Sequence, residues 1–226
     1  MCINDVELPK YSLKEELMNA ISHGLGAIFG IVALVLMLIK TIPSKDVFSI
    51  ISVSIYGISL IILFTISCLY HSLARNKGKK VLRIMDHNMI YILVSGTYTP
   101  YTLIAMQNEN IWNLGKGTVA YIMLITVWIC CIVGIIFNSI NIKKYAPLSM
   151  TCYIVSGWII ILAFFPLWNI IGATSVLLLL GGGIAYTIGS VLYIVGKKKK
   201  YMHSVFHIFV LIGAVMMFVS IYCYVL

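Results

Sequence analysis

The C-terminal stretch MHSVFHIFVLIGAVMMFVSIYCYVL, Met202–Leu226, has the length and composition of a membrane-spanning helix. It contains no Asp, Glu, Lys or Arg, and about 20 apolar residues suffice to cross a hydrocarbon core of about 30 Å. The run is too long and too uniformly apolar for a barrel strand, so it predicts a helix. Its two histidines, His203 and His207, are four residues apart and therefore lie on one helical face. Titratable groups are costly in lipid, so this pair needs partners at the same depth.

The rest of the chain repeats this apolar pattern. Of its 226 residues 61% are hydrophobic and only 10% are charged, whereas a soluble domain is about one quarter charged. Together with Met202–Leu226, the segments long enough to cross a bilayer are Asn19–Ile39, Val47–Leu73, Ile84–Met106, Gly117–Phe137, Leu148–Trp168 and Ala173–Val195. The sequence predicts an all-α polytopic membrane protein, a seven-transmembrane helix bundle. Residues 19–226 form its single domain, and residues 1–18 precede it as a cytoplasmic segment.

The distribution of basic residues predicts the orientation. Most of the lysines and arginines fall on the N-terminal side of the predicted bundle, at Lys10, Lys14, Arg75, Lys77, Lys79, Lys80, Arg83, Lys143, Lys144 and Lys197–Lys200. The opposite side has Lys40, Lys45 and Lys116. By the positive-inside rule the N-terminus is cytoplasmic and the C-terminus extracytoplasmic. Contact with anionic lipid accounts for these loops, and the absence of interleaved aromatic residues argues against nucleic acid.

The polar residues of the spans collect in one predicted layer. Because successive spans run in opposite directions, the end of the second span lies beside the starts of the first, third and seventh. Asp86 and His87 are expected to open the third span. The layer contains Glu16, Asn19, His23, Ser67, His71, Asp86, His87, His203 and His207. It therefore includes every histidine of the chain and lies near the cytoplasmic face.

Three of these histidines form a candidate metal site. His203 and His207 can offer two ring nitrogens to one ion, and His71 supplies a third from another span. Three imidazoles leave a fourth tetrahedral position for water, as in catalytic zinc sites, and zinc lowers the pKa of such a water to about 7. Asp86 is the candidate to orient or deprotonate that water, and Ser67 to assist beside the site.

Plainer interpretations stay open for each element. A histidine near a helix end is often an interfacial residue, and Asp86 could pair with Arg83 or cap its helix. A haem site would need two histidines on opposed helices and would leave one member of the His203–His207 pair unused.

Four stretches carry a family resemblance: EELMNAISHGLG (Glu15–Gly26), SCLYH (Ser67–His71), LRIMDHNMIYILVSGTYTPY (Leu82–Tyr101) and HSVFH (His203–His207). Over essentially its whole length the chain resembles the hemolysin III group of the progestin and adipoQ receptor family. The resemblance implies a seven-helix bundle with a cytoplasmic-side zinc ion held by His71, His203 and His207. It matches Asp86 to the aspartate that holds the zinc-bound water, and Ser67 to the serine of the first motif. Residues with a possible place beside the ligands are Glu16, Asn19, His23 and His87, of which His87 is not assigned to the metal.

The leading hypothesis is a zinc-dependent hydrolase of a lipid amide or ester, similar to a ceramidase, in a bacterial inner (plasma) membrane. Zinc-bound water, positioned by Asp86, would attack the carbonyl. The alternatives are a non-enzymatic lipid sensor or receptor with structural zinc, and a channel or cytolytic protein. Membrane lipids are the expected partners, without nucleic acid or a predicted protein partner. Substrate and oligomeric state stay open.

Overall fold

The computed structural model describes residue 3, residues 6–196 and residues 199–226, and the regular secondary structure of these residues is entirely helical. Lys197 and Lys198, counted above among the basic residues, lie outside the described residues. The main helices are α1 (Leu13–Thr41), α2 (Val47–Ser72), α3 (Lys77–Pro100), α4 (Thr118–Ile140), α5 (Ala146–Trp158), α6 (Phe164–Val195) and α7 (Met202–Ser220). Shorter helical turns lie at Ile42–Ser44, Tyr101–Met106, Ile111–Asn113, Ile159–Ala163 and Ile221–Val225.

Six helical stretches of the described chain are long and apolar enough to span a membrane. Their outward faces carry large apolar side chains; on α1, Ile21, Leu25 and Ile28 are each about 60% exposed. Contiguous exposed apolar surface of this kind marks contact with lipid. The prediction of an integral, multi-pass helical membrane protein is therefore confirmed.

The longest of these stretches, Ala146–Val195, is a bent unit. A straight helix of its 50 residues would be about 75 Å long, more than twice the hydrocarbon thickness. The backbone leaves the helical region at Gly172, where φ is 80° and ψ is 163°, a conformation that glycine adopts without steric cost. Trp158 Nε1 donates to Thr187 Oγ1 at 3.0 Å, and Gly172 lies midway between these residues in sequence. The chain therefore folds back on itself at Gly172.

Two helices begin in polar sequence, ahead of their apolar stretches. α1 begins at Leu13 because Ser12 and Glu15 form a reciprocal capping box, which satisfies two backbone N–H groups of the first turn. α3 begins at Lys77, where the Asn76 side chain accepts from the Lys79 N–H. The expectation that Asp86 opens its helix is therefore wrong: Asp86 lies in the interior of α3 and does not cap it.

The two ends of the bundle are distinguished by different contacts. At one end the N-terminal residues meet the α2–α3 and α4–α5 connections through Arg75 and Lys143. At the other end Lys40 Nζ donates to the Tyr222 carbonyl oxygen at 2.7 Å. The end of α2 and the start of α7, which carry three of the histidines, lie at the first end together with the start of α1.

Close packing of α1 on α2 determines what surrounds the histidines. A Cβ at Gly26 would collide with the Phe64 ring, so glycine at this position lets the two helices approach closely. The Phe64 ring in turn contacts His23 edge-on, with ring centroids 5.1 Å apart. This approach of α1 brings its polar face against the ends of α2 and α7.

Candidate metal centre

Three buried imidazoles converge at the end of the bundle that carries the N-terminal segment. His71 comes from the last turn of α2, and His203 and His207 come from the first turns of α7. The His203 Nε2 atom is 3.1 Å from His71 Nε2 and 3.0 Å from His207 Nε2. Exposed fractions are 2%, 9% and 1% for His71, His203 and His207. We call these residues the three-histidine cluster.

The outer nitrogens of two of these rings have acceptors. His71 Nδ1 lies 2.7 Å from Glu16 Oε2, and His207 Nδ1 lies 3.3 Å from the Asn19 carbonyl oxygen. A carboxylate and a carbonyl only accept, so both Nδ1 atoms carry the proton and donate. The Nε2 atoms of both rings therefore present lone pairs to the centre of the cluster, in the tautomer that binds a metal through Nε2.

The spacing of the cluster fits one metal ion. A tetrahedral ion bound by nitrogen at about 2.05 Å requires nitrogen–nitrogen separations of about 3.3 Å, close to the observed 3.0 and 3.1 Å. One candidate ligand atom from each histidine lies within 4.8 Å of the other two. Imidazole nitrogens suit zinc, as well as copper, iron and nickel. The buried three-histidine cluster could therefore bind a metal ion.

Glu16 links His71 to a buried cation. Its second carboxylate oxygen, Oε1, accepts from Lys79 Nζ at 2.6 Å, and Lys79 also donates to the Leu73 carbonyl oxygen at 3.0 Å. Lys79 is only 3% exposed. The carboxylate thus makes two charge-assisted hydrogen bonds, which are among the stronger hydrogen bonds in proteins.

Asn19 ties α1 to α7 beside the cluster. Its Oδ1 accepts from Ser204 Oγ at 2.6 Å, and both residues are buried. Its carbonyl oxygen is the acceptor for His207 described above. A single residue of α1 therefore holds both the backbone position and the ring orientation of the first turns of α7.

His23 and Ser67 lie beside the cluster without hydrogen bonds. The His23 ring stacks on His207, with centroids 3.5 Å apart and planes 10° apart. Both ring nitrogens of His23 and the Ser67 hydroxyl are buried and have no hydrogen-bond partner among the described residues. Ser67 precedes His71 by one turn of α2, so its O–H is free to donate to another group at this level.

Asp86 borders a polar cavity that reaches the cluster. The cavity has a volume of about 290 Å³, and its wall includes Arg83, Asp86, Tyr193 and His203. His87 lies on the same wall; its Nδ1 is 2.9 Å from the Arg83 carbonyl oxygen and 3.8 Å from Asp86 Oδ2. The structure therefore places Asp86 and His87 around the approach to the cluster.

A second, apolar cavity adjoins the polar one. Its volume is about 90 Å³, and it is lined mainly by aliphatic and aromatic side chains deeper in the bundle. Ile90, Tyr153 and Phe206 line both cavities. A polar chamber next to His203 thus adjoins an apolar chamber, with three side chains at the boundary between them.

Comparison with known proteins identifies the family. A sequence profile described as "Haemolysin-III related" matches residues 11–218 of the chain. The chain belongs to the haemolysin-III-related family.

Named relatives agree with this assignment. This haemolysin-III-related chain is 36% identical to "Hemolysin-3" of Bacillus cereus over 214 residues, which cover 95% of this chain and 93% of the relative. It is 38% identical to "Hemolysin-3 homolog" of Bacillus subtilis (strain 168) over 215 residues, with 94% and 96% covered. The "Monocyte to macrophage differentiation factor" of Homo sapiens is more distant, 24% identical over 186 residues, with 80% and 73% covered. The resemblance inferred from the sequence is confirmed.

Sequence reasoning missed two residues of this haemolysin-III-related site. Lys79 was counted only as a topology signal, although its ammonium group is buried against Glu16. Tyr11 was not considered, and its ring lies on His203 with centroids 5.1 Å apart. Lys79 lies in a run of basic residues, so nothing in the sequence distinguishes it from its exposed neighbours. Tyr11 belongs to a polar segment that no periodic pattern connects to the cluster.

Proposed function

We propose that the protein is a zinc-dependent hydrolase that cleaves an amide or ester bond of a membrane lipid. The observation that carries the proposal is the convergence of three Nε2 atoms beside a cavity bordered by Asp86. When bound, zinc supplies a Lewis acid that polarises a carbonyl and makes water nucleophilic near neutral pH. Three histidine ligands leave room for such chemistry, because structural zinc sites usually complete their four ligands from protein.

The chain's own residues have distinct roles in this proposal. Asp86 orients the attacking water and accepts its proton, a contribution typically worth 10²–10⁴-fold in rate. Ser67 donates its unpartnered O–H to the oxygen on which negative charge develops. Glu16 and Asn19 keep His71 and His207 in the tautomer that presents Nε2.

The adjoining cavities support a lipid as substrate. A polar chamber at the histidines accommodates the head of an amphiphile, and the apolar chamber beyond Phe206 accommodates the start of an acyl chain. Burial of that chain contributes about 0.8 kcal/mol per methylene. In this arrangement the bond between the head of the lipid and its acyl chain lies at the boundary between the two chambers, close to His203.

We further propose seven spans with the N-terminus in the cytoplasm and the site near the cytoplasmic face of the plasma membrane. The fold-back at Gly172 supports two crossings within Ala146–Val195, which makes the number of spans odd. Arg75 and Lys143 lie at the end with the N-terminal segment, in agreement with the positive-inside rule. Reporter fusions at both termini test this orientation, and reporters active on the same side would refute it.

The activity test uses purified full-length protein with ceramide-like and ester lipids in mixed micelles, and fatty-acid release is the readout. We expect one zinc per chain and turnover that falls at least about 100-fold in Asp86→Asn while zinc is retained. Asp46→Asn is the matched control, because Asp46 caps α2 at the other end of the bundle. Zinc-loaded wild-type protein that turns over no lipid faster than Asp86→Asn would refute the hydrolase.

A non-enzymatic sensor with structural zinc is the second candidate. It is favoured by the position of the cluster, which joins the end of α2 to the start of α7 and so holds two helices together. In that case Asp86→Asn keeps full cellular function, whereas His207→Ala loses it.

The name of the Bacillus cereus relative, "Hemolysin-3", supports a lytic or channel function as a third candidate. Zinc-independent leakage of dye from liposomes containing the protein is its expected result. Sealed liposomes would argue against it.

A further inference from the structure

The N-terminal segment crosses the end of the bundle at which the three-histidine cluster lies. We call residues 6–12 the N-terminal strap. Val6 is 2% exposed, and Arg75 donates to the carbonyl oxygens of Leu8 at 3.1 Å and Pro9 at 2.9 Å. Glu7 pairs with Lys143 at 2.7 Å, and its carboxylate borders the polar cavity. The strap is thus attached to the α2–α3 connection and to the α4–α5 connection.

The attachments differ in strength. The Glu7 and Lys143 side chains are both more than 70% exposed, and exposed ion pairs contribute little to stability. The two hydrogen bonds from Arg75 are exposed as well, so the buried Val6 is the firmest attachment of the strap. Together with the Ser12 cap of α1, these contacts fix the path of the chain on both sides of Tyr11.

Tyr11 is the residue of the strap that meets the cluster. Its ring lies nearly parallel to the His203 ring, with planes 15° apart and centroids 5.1 Å apart. A second contact joins it to His71 at 5.9 Å with a tilt of 50°.

The three histidines are oriented in different ways. His71 and His207 each donate from Nδ1 to a fixed acceptor. His203 Nδ1 is buried and has no hydrogen-bond partner among the residues that the structure describes. The His203 ring is instead surrounded by aromatic rings: Tyr11, Tyr193 at 5.3 Å and Phe206 at 5.8 Å. Tyr193 and Phe206 are tilted by 56° and 37°, so Tyr11 alone among these three lies nearly parallel to the His203 ring.

We propose that Tyr11 is a positioning residue for His203. The N-terminal strap, which does not itself span the membrane, thereby completes the metal centre. Stacking replaces the Nδ1 hydrogen bond that orients the other two ligands. This inference rests on the proposed metal binding but not on hydrolysis. Loss of a group that orients a metal ligand typically weakens metal affinity by about 10–100-fold.

The test measures metal affinity of the full-length protein in detergent, with zinc competed against a chromophoric chelator and cobalt absorption reporting the coordination geometry. We expect Tyr11→Phe to bind within about twofold of wild type, because it keeps the ring. We expect Tyr11→Ala to bind at least about tenfold more weakly and to change the cobalt spectrum. Lys10→Ala, at an exposed neighbouring position of the strap, is the matched control and binds like wild type.

Arg75→Gln provides an independent arm that leaves Tyr11 in place. It removes the guanidinium that holds the carbonyl oxygens of Leu8 and Pro9, so we expect a smaller loss of affinity with an unchanged unfolding temperature of the bundle. Tyr11→Ala with wild-type affinity and spectrum would overturn the inference while leaving metal binding intact. Equal losses in Tyr11→Phe and Tyr11→Ala would also overturn it, since the hydroxyl rather than the ring would then be responsible. Wild-type protein that binds no metal would instead refute the proposed function itself.

Discussion

Replacing Glu16 by Gln tests whether the carboxylate sets the metal-binding tautomer of His71. Glu16 accepts from His71 Nδ1 at 2.7 Å with one oxygen and from Lys79 Nζ at 2.6 Å with the other. A glutamine has only one oxygen, so it can satisfy one of the two donors. If that oxygen faces Lys79, the amide NH₂ faces His71 Nδ1 and favours the tautomer with the proton on Nε2. In that tautomer Nε2 of His71 has no lone pair to offer to a metal at the centre of the cluster.

The size of the effect follows from the kind of hydrogen bond that is lost. A hydrogen bond to a charged group contributes about 1.5–3 kcal/mol. Because each 1.4 kcal/mol is a factor of ten in an equilibrium constant, the metal affinity should fall about 10–100-fold. The His71 side chain is fully buried and Glu16 is 17% exposed, so water provides little replacement for the lost acceptor.

The assay is a zinc titration of purified protein against a competing chelator, with Asp46→Asn as the control. Asp46 caps α2 at the other end of the bundle, so the same acid-to-amide change there leaves the surroundings of the three-histidine cluster intact. The double variant Glu16→Gln/Lys79→Met frees the glutamine oxygen for His71 and should recover most of the affinity. A Glu16→Gln protein within twofold of wild type, or a double variant as weak as the single one, would refute the reasoning.

Other consequences of the packing can be checked with the same preparations. Gly134→Ala places a methyl group against the Tyr91 ring, so we expect it to destabilise the protein by about 1–3 kcal/mol and to lower its unfolding temperature. Gly157→Ala is the control: a Cβ added at this position would have no neighbour from another part of the described chain within 4 Å, so the variant should unfold like wild type. Ser204→Ala leaves the buried Asn19 Oδ1 without its donor and should cost about 1–3 kcal/mol of stability, measured by denaturant unfolding. The metal affinity of the three-histidine cluster should fall as the pH is lowered, because protons compete for the imidazole nitrogens; a metal affinity that does not change with pH would contradict the assignment.

The helical membrane architecture follows from the sequence because its cause is local. Long apolar runs must satisfy their own backbone hydrogen bonds in lipid, which leaves helices as the solution. The ends of helices were less predictable, since polar residues such as Ser12 and Asn76 extend them beyond the apolar stretch. This is why Asp86 was expected at the start of a helix and lies within α3. The bend at Gly172 falls within residues 169–172, which separate the predicted spans Leu148–Trp168 and Ala173–Val195.

In the candidate site, too, some features follow from local sequence and others from long-range contacts. His203 and His207 share a face because of their spacing, and the family resemblance pairs them with His71; the convergence of the three Nε2 atoms agrees with both. What the sequence did not indicate is how each ring is held. Glu16 of α1 contacts His71 of α2 and is itself bound by Lys79 of α3. Tyr11 contacts His203 from a segment outside the apolar runs. These contacts depend on how α1 and the strap cross the bundle end, which is a property of the whole fold. The three histidines come from α2 and α7, but the orientation of their rings depends on α1 and on the N-terminal strap. The metal centre is therefore sensitive to changes in the N-terminal strap. The metal affinity of the Tyr11 and Glu16 variants therefore tests the fold of this end of the bundle as directly as it tests the site.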